Sequence, residues 1–320
     1  MTTTSTRPSD ALAALRRDLA GAPGGNAVPR GAVGRFRNGT AEFGYPEIAG
    51  YWLGWAAEQQ DVSDPTGEAV ISWLAPLQEP CGTWPTRPGS SETEHQHARY
   101  LFDHAMLWHG VGRWASSRAS EKARDLHGQV TDALASFVDG AQLRSVRGPA
   151  PIRWSGQPGP FLLKALARIR HAAPILPMAT GAIEEMIRQA FATPHRQAHP
   201  QLYAIEGLWL LGEPDLASQA LRTLLDAHGG IEHLRESPGA GPQRNDVIAQ
   251  ALRAALLLDW PVQRQRHWAR VHDRLVAGIP ANGRLPFSAN HEHAPTWAAM
   301  FAEQALRAWQ GERIDKEELA

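Results

Sequence analysis

The chain of 320 residues has little of several features that would define a protein class by themselves. Its one cysteine, Cys81, excludes an intramolecular disulfide framework and a zinc site built from thiolates. Its 32 basic residues are balanced by 33 acidic ones, which argues against nucleic acid as a partner. No apolar run approaches the roughly 18 residues that span a bilayer, and residues 1–10 lack the apolar stretch of a signal peptide. We therefore expect a cytoplasmic protein without a membrane partner.

Tryptophan, in contrast, is abundant, with twelve residues in the chain. Three of them, Trp84, Trp154 and Trp297, lie in or beside segments rich in proline and glycine. A large ring in such a loop is more often available to line a pocket than a ring inside a helix. We expect Trp84 and Trp297 to stack on a substrate, although core packing is an alternative for Trp297.

Six stretches are apolar on more than one face, which is typical of helices surrounded by other helices. Amphipathic stretches with one polar face lie between them and predict six outer helices. The predicted inner helices are Tyr45–Gln60, Arg99–Ser117, Gly159–Arg170, His199–Gly212, Asn245–Trp260 and Thr296–Gln310. The predicted outer helices are Asp10–Ala20, Gly67–Gln78, Ser116–Val138, Pro174–Thr193, Glu213–His228 and Pro261–Ile279.

The linkers that lead into the inner helices also repeat. Each contains a glycine followed by a short apolar element, and the glycines are Gly39, Gly82, Gly140, Gly230 and Gly283. A glycine of this kind allows the left-handed backbone that turns the chain back on itself. The inner helices recur every 40–60 residues, which indicates an array of helical hairpins closed into a ring.

Six inner and six outer helices make an all-α (α/α)6 toroid with short β-like elements at one mouth. We expect one domain over residues 10–312, a disordered segment 1–9 and a polar tail 313–320. Four motifs carry a resemblance over nearly the whole chain: FGYPE (43–47), YLFD (100–103), HPQLYAIEGL (199–208) and TWAAMFAEQ (296–304). The chain resembles the six-hairpin carbohydrate-active superfamily, which includes sugar epimerases and unsaturated uronyl hydrolases. The resemblance implies an enzyme that acts on a sugar and needs no cofactor.

Polar residues on the inner helices are the candidates for chemistry, because an unpartnered charge inside such a ring costs several kcal/mol. They fall in stripes at helical spacing, and each stripe begins near the first turn of its helix. The stripes are Glu47 with Tyr51, Asp103 with Gly110, His199 with Tyr203 and Glu206, and Asp246 with Gln250 and Arg253. We predict Glu47, Asp103, His199 and Asp246 as the catalytic groups, with Tyr203 and Gln250 holding substrate hydroxyls. We also predict that Tyr45, Tyr51 and Glu206 bind the substrate.

Structural roles are the alternatives for these residues. Glu47 follows Pro46 and Asp246 follows Asn245, which are ordinary starts for a helix. Asp103 is spaced to pair with Arg99, and His199 before Pro200 is also placed to cap its helix. The pairs His95/His97 and His291/His293 have no third ligand at a recognised spacing, so we predict no metal.

Three hypotheses for the function remain open. In the first, carboxylates and His199 serve as general acid and base on a sugar or sugar-like molecule, by an epimerase, hydrolase or lyase reaction. The second rests on Tyr45-Pro46-Glu47, which looks like a segment of the aziridine-forming enzymes of azinomycin-type antibiotic biosynthesis. That resemblance implies ring closure on an amino acid bound to a small acidic carrier protein, with Arg87, Arg99 and Arg244 binding the anionic leaving group. The third is a non-catalytic helical scaffold.

Overall fold

The structure is a computed structural model that describes residues 7–21, 28–88, 90, 98–140, 142–150, 154–193, 197–289 and 291–319. Twelve α-helices occur within these ranges. Those that form the inner ring are α2 (Pro46–Ala56), α4 (Leu101–Ser117), α6 (Leu162–Ile169), α8 (Ala198–Leu211), α10 (Asn245–Leu257) and α12 (Thr296–Trp309). Those outside it are α1 (Pro8–Ala20), α3 (Asp64–Leu74), α5 (Glu121–Ala135), α7 (Leu176–Ala192), α9 (Pro214–His228) and α11 (Arg266–Ala277).

The inner helices close a ring. Each packs against the next in the order α2, α4, α6, α8, α10, α12, and α12 packs against α2 again. Each outer helix packs on an inner one, and α1, the first helix of the chain, packs on α12, the last. The fold is therefore the (α/α)6 toroid that the repeated apolar stretches predicted. The buried apolar side chains of the described residues form one large core, apart from a small second cluster of Leu210, Ile314 and Leu319.

Short strands lie where the chain enters several inner helices. Antiparallel strands β1 (Val33–Arg37) and β2 (Thr40–Gly44) form a hairpin, and β7 (His293–Pro295) pairs with the other edge of β1 in the register Arg35 opposite Pro295. The hairpin turn, Asn38-Gly39, has positive φ at both residues, a conformation that suits a right-twisted hairpin. Since β2 leads into α2 and β7 into α12, this sheet joins the two ends of the ring.

Two further strand pairs complete the mouth: β3 (Arg99–Tyr100) with β6 (Val146–Arg147), and β4 (Val138–Asp139) with β5 (Gln142–Leu143). The sequence placed Arg99 in the first turn of an inner helix, but the residue lies in β3 and α4 begins at Leu101. The backbone of Arg99 is held in the extended form by pairing with Arg147, which overrides the helical pattern that follows it. The five linker glycines all have positive φ, as predicted.

The opposite end of the ring is covered by residues 313–319. Carbonyl groups of the 3-10 turn Lys316–Glu318 and of Leu319 accept hydrogen bonds from side chains of three inner helices: His109 on α4, Arg168 on α6 and Gln304 on α12. Leu319 is fully buried as a result. No helix within the described ranges is long and apolar enough to cross a membrane.

Candidate active site

A cavity of about 560 Å³ opens where the N-terminal ends of the inner helices meet the strands. Its size lies within the range of about 300–1,000 Å³ that is typical of small-molecule sites. Its lining residues are Arg35, Tyr45, Glu47, Ile48, Arg87, Tyr100, Phe102, Asp103, Trp154, Ser155, His199, Tyr203, Arg244, Phe287, His291, His293, Pro295 and Trp297. The cavity thus combines carboxyl groups, imidazoles, guanidinium groups and two indoles.

The structure brings eight of the predicted site residues together on this wall: Tyr45, Glu47, Arg87, Asp103, His199, Tyr203, Arg244 and Trp297. The other six, Tyr51, Trp84, Arg99, Glu206, Asp246 and Gln250, do not line it. Three of these six, Tyr51, Asp246 and Gln250, are on inner helices and hydrogen-bond to a residue of the wall, whereas Glu206 pairs with Lys164 and Arg253.

Two carboxyl groups, those of Glu47 and Asp103, form the centre of the site. Glu47 lies in the first turn of α2 and Asp103 in the first turn of α4, and the two side chains share a hydrogen bond. Both residues are 7% exposed. Burial raises the pKa of Glu47, against the opposing effects of hydrogen bonds with Tyr45 and Asp103 and of the charges on Lys164 and Arg87. Because two ionised carboxylates repel, the hydrogen bond requires that the pair holds one proton.

The imidazole of His199 lies on the same wall. Its Nδ1 is 3.0 Å from Oε1 of Gln250. Burial, followed by the charge of Arg244, lowers the pKa of His199 to about 4, so the ring is neutral near pH 7. Since an amide oxygen only accepts, Nδ1 carries the proton and donates it to Gln250. The lone pair of His199 therefore lies on Nε2, which makes that atom the basic one.

Asp246, which we predicted to be catalytic, lies behind the wall and is fully buried. Its Oδ1 accepts from Nε of Arg244 at 3.0 Å, and its Oδ2 accepts from Nη2 of Arg244 at 2.6 Å and from the indole of Trp297 at 2.9 Å. Against the effect of burial, the charge of Arg244 and these hydrogen bonds lower the pKa of Asp246 to about 2. A carboxylate with that pKa does not donate a proton near pH 7, and its contacts orient Arg244 and Trp297 toward the cavity.

Aromatic rings form one side of the cavity. Trp154 packs edge-on against Phe161, with 4.9 Å between centroids, and lies 6.2 Å from the ring of His199. Tyr203 packs against His199 at 4.5 Å. The sequence indicated that Trp154 lines a pocket, and it does. The indole of Trp84 instead donates to the carbonyl of Leu74 at 2.9 Å and is 1% exposed, because the end of α3 needs a donor for its last carbonyl groups.

Arginines lie at the rim of the cavity against aromatic rings. Arg87 lies 4.9 Å from the ring centre of Phe43 and 5.6 Å from that of Tyr45, and Arg244 lies 4.4 Å from that of Phe287. Arg99 points elsewhere, and its Nε donates to Glu79 at 2.9 Å. Of the three arginines predicted to bind an anion, two therefore reach the cavity.

A buried cation that the sequence interpretation missed lies below Tyr203. Lys164 on α6 is fully buried, and its Nζ is 2.8 Å from Oε2 of Glu206. Glu206 also pairs with Arg253 of α10. A sequence signal was available, since Lys164 is one of three lysines in the chain and stands alone in the apolar run FLLKAL.

The described residues contain no group of three or more His, Cys, Asp or Glu side chains placed to hold a metal ion. His293, of the pair His291/His293, has its Nδ1 2.9 Å from Oε2 of Glu42. His95 and His97 lie outside the described residues.

The sequence matches no protein-family model and no curated protein. Solved structures do match. An alpha-amylase from Clostridium perfringens is 8% identical, with a TM-score of 0.62 over 97% of this chain and 99% of that one. An unsaturated glucuronyl hydrolase specific for heparin is 11% identical (TM-score 0.62, 95% and 96% covered), and a sugar epimerase from a ruminal bacterium is 10% identical (TM-score 0.60, 95% and 100% covered). At these identities, the matches establish the (α/α)6 fold that the helices already define.

Proposed function

We propose that this protein is an enzyme that acts on a sugar or sugar-like small molecule by general acid–base catalysis, with the Glu47–Asp103 pair as the proton donor and acceptor. The hydrogen-bonded carboxyl pair on the wall of a cavity of ligand size is the observation that carries the proposal. A pair that holds one proton contains an acid and a base at once. The structural neighbours that act on sugars, among them the glucuronyl hydrolase and the sugar epimerase, support the substrate class.

The other lining groups fit this chemistry. The Nε2 of His199 serves as a second base or as an acceptor for a substrate hydroxyl. The hydroxyl of Tyr203 holds another oxygen of the substrate, and the indoles of Trp154 and Trp297 supply flat apolar surfaces for the C–H faces of a sugar ring.

The distance between the two carboxyl groups bears on the type of reaction. Glycosidases that use a nucleophile or an activated water on the opposite face of the sugar keep their carboxyl groups roughly 5–9.5 Å apart. Groups that share a hydrogen bond are closer than that, so the pair acts on one side of the substrate. This favours addition or removal of a proton on one face, as in elimination, over displacement by the pair across the ring. Epimerisation needs a second group that delivers the proton to the opposite face, and Nε2 of His199 is the candidate for that role.

Turnover on a panel of neutral sugars, uronates and unsaturated uronides tests the proposal. Proton NMR in D2O follows the reaction, because epimerisation exchanges a C–H proton for deuterium whereas hydrolysis releases a sugar. We expect Glu47→Gln, Asp103→Asn and His199→Ala to lower the rate by about 10²–10⁴-fold. Glu185→Gln, which changes a solvent-accessible carboxylate on α7, is the matched control. Unchanged rates in all three site variants contradict the proposal and favour a non-catalytic scaffold.

A second candidate is the ring closure that the azinomycin-type resemblance implied, and the position of Arg87 near Glu47 favours it. In this reaction an amine nitrogen attacks a carbon, the C–O bond to a sulfate or phosphate breaks, and the ionised carboxyl group accepts the N–H proton. Arg87 would hold the leaving anion. Release of inorganic sulfate or phosphate from amino acids that carry these esters, free or attached to a small acidic carrier protein, distinguishes this reaction from sugar chemistry.

A further inference from the structure

Below the cavity floor, polar groups continue along the axis of the ring. Tyr51 lies one helical turn along α2 from Glu47, which corresponds to about 6 Å of rise. The Nζ of Lys164 lies 4.8 Å from the ring centre of Tyr51 and 4.9 Å from that of Tyr203. A single layer of two tyrosines therefore separates the carboxyl pair from a fully buried ammonium group.

The charges in this layer do not cancel locally. Lys164 and Arg253 are both within contact of one carboxylate, Glu206, and the side chains of all three are 0% exposed. The charges of Arg253 and Lys164, against the effect of burial, lower the pKa of Glu206 to about 2, so this carboxylate is ionised. When Lys164 is protonated, the three groups together therefore carry one net positive charge.

Four other titratable groups near Lys164 are those of His109, Arg168, Tyr51 and Tyr203. His109 on α4 has a pKa held well below its usual range by burial and nearby cations, so it is neutral. Arg168 on α6 has its own acidic partner, Glu317, at 3.4 Å. The pKa values of Tyr51 and Tyr203 are raised well above the usual range by burial, so both phenols are neutral. The charge of Lys164 also acts on Glu47, whose carboxyl group lies above the tyrosine layer.

We propose that Lys164 is a positioning residue, the internal counter-ion that keeps one carboxyl group of the Glu47–Asp103 pair ionised. The positive charge below the tyrosine layer acts on Glu47 above it, and a low-dielectric interior screens this attraction only weakly. The inference rests on the proposed function for its catalytic meaning, but the charge coupling itself does not. The coupling is reciprocal: each charge raises the stability of the other by the same amount.

Lysine NMR provides the test, because the chain has only three lysines and selective ¹³C labelling of the ε-carbon gives few signals. Lys164→Gln identifies the signal of Lys164. Burial, with opposing and reinforcing charges around it, lowers the pKa of Lys164 to about 7, so its titration is measurable. We expect Glu47→Gln to lower this pKa further, by about one unit, or a tenfold loss of proton affinity. Glu185→Gln is the control and should leave the titration unchanged.

The reverse experiment uses ¹³C-labelled glutamate and follows the carboxyl signal of Glu47, identified by its loss in Glu47→Gln. Lys164→Gln retains a donor for Glu206 and removes only the charge, and Lys164→Met is a second neutral variant. We expect both to raise the pKa of Glu47 by about one unit, whereas Arg307→Gln, which removes a buried cation elsewhere in the ring, should not.

If substitution of either residue, Lys164 or Glu47, leaves the pKa of the other unchanged, the proposal is wrong. An equal pKa shift in the control variants also contradicts it. If the neutral lysine variants fail to fold, the Lys164 titration in wild type and Glu47→Gln decides alone. Neither measurement needs a substrate. If the two pKa values depend on each other but no sugar of the panel is turned over, only the proposed function is contradicted. If a sugar is turned over but the two pKa values are independent, only the role of Lys164 is contradicted.

Discussion

The Nδ1 atom of His199 lies 3.0 Å from the side-chain oxygen of Gln250, so that two neighbouring inner helices, α8 and α10, together fix which nitrogen of the imidazole carries the proton. Burial lowers the pKa of His199 to about 4 in this arrangement. The ring is therefore a neutral acceptor near pH 7, with Nε2 as its basic atom. Gln250 does not line the cavity, so it can be substituted without changing a residue of the cavity wall.

Gln250→Glu should raise the pKa of His199 by at least about one unit, since a carboxylate at this position stabilises the imidazolium form. Histidine NMR over pH 3–8 measures the shift, with His199→Ala to identify the signal. Gln250→Leu is the matched control: it removes the hydrogen bond without adding charge, so the pKa of His199 should stay low. A similar rise in both variants would contradict the role assigned to Gln250.

Asp246→Asn should destabilise the protein by about 3 kcal/mol, because Arg244 loses one of two acidic partners while remaining mostly buried. Urea unfolding followed by circular dichroism measures the change. The same variant should lower turnover, since Trp297 and Arg244 are no longer fixed at the cavity. Asp273→Asn, at a carboxylate whose side chain is 76% exposed, is the control and should change stability by less than about 0.5 kcal/mol. An equal loss in the two variants would show that the contacts of Asp246 do not matter.

Acid should destabilise the fold between pH 6.5 and pH 4. The His104 ring donates from Nδ1 to the carbonyl of Tyr100 at 2.8 Å and accepts at Nε2 from the backbone N–H of Trp84 at 3.1 Å. Burial lowers the pKa of His104 to about 4. In this pH range the unfolded chain binds a proton that the folded protein excludes, so the stability is present above pH 6.5 and is lost as the pH falls toward 4.

For His104 the loss amounts to up to roughly 3 kcal/mol, and His199 adds a similar share. Urea unfolding at pH 7.0, 5.5 and 4.5 measures it. His104→Gln should lower the stability at pH 7 and flatten its dependence on pH. Gly110→Ala is the control, because it should also lower the stability but retains both histidines. Its free energy of unfolding should depend on pH as steeply as that of the wild type. A slope unaffected by His104→Gln would contradict this account.

The ring was predictable from the sequence because an inner helix is apolar on more than one face, and this pattern occurs six times. The ends of the helices were less predictable. Tyr45–Gln60 was expected as one helix, whereas α2 ends at Ala56, and Arg99 was expected in a helix but pairs as a strand. Strand pairing of this kind depends on residues 146–147, some fifty positions away, and no local pattern reports it.

The candidate site was predicted in part, for a geometric reason. A stripe at i, i+4 and i+7 runs along a helix, so its first member lies at the mouth and later members lie about 6 Å deeper for every four residues. Glu47 and His199 therefore line the cavity, whereas Tyr51 and Glu206 do not. Two residues depart from this rule: the ring of Tyr203 still reaches the cavity, and Asp246, although first in its stripe, is covered by Arg244 and Trp297. Lys164 does not belong to a stripe of polar residues on its own helix. Its role follows from contacts with other helices, which the sequence does not report. A position in a loop did not suffice to predict a pocket residue for Trp84, because its indole donates to a carbonyl group at the end of α3.

The packing of α2 against α4 gives the last prediction. A Cβ atom on Gly110 would lie 1.9 Å from the carbonyl oxygen of Gly50, so the two helices approach as closely as two glycines allow. Gly110→Ala should therefore push α2 and α4 apart and destabilise the protein by about 1–3 kcal/mol or more, measured as a fall in the midpoint of urea unfolding. Since Glu47 and Asp103 lie on these two helices, turnover should fall as well. Gly128→Ala on α5, where the new methyl group meets nothing within 4 Å, is the matched control and should stabilise the helix by about 0.5–1 kcal/mol. The two substitutions are chemically identical, so a shift of the same sign in both would mean that the contact between Gly50 and Gly110 does not set the distance between the two carboxyl-bearing helices.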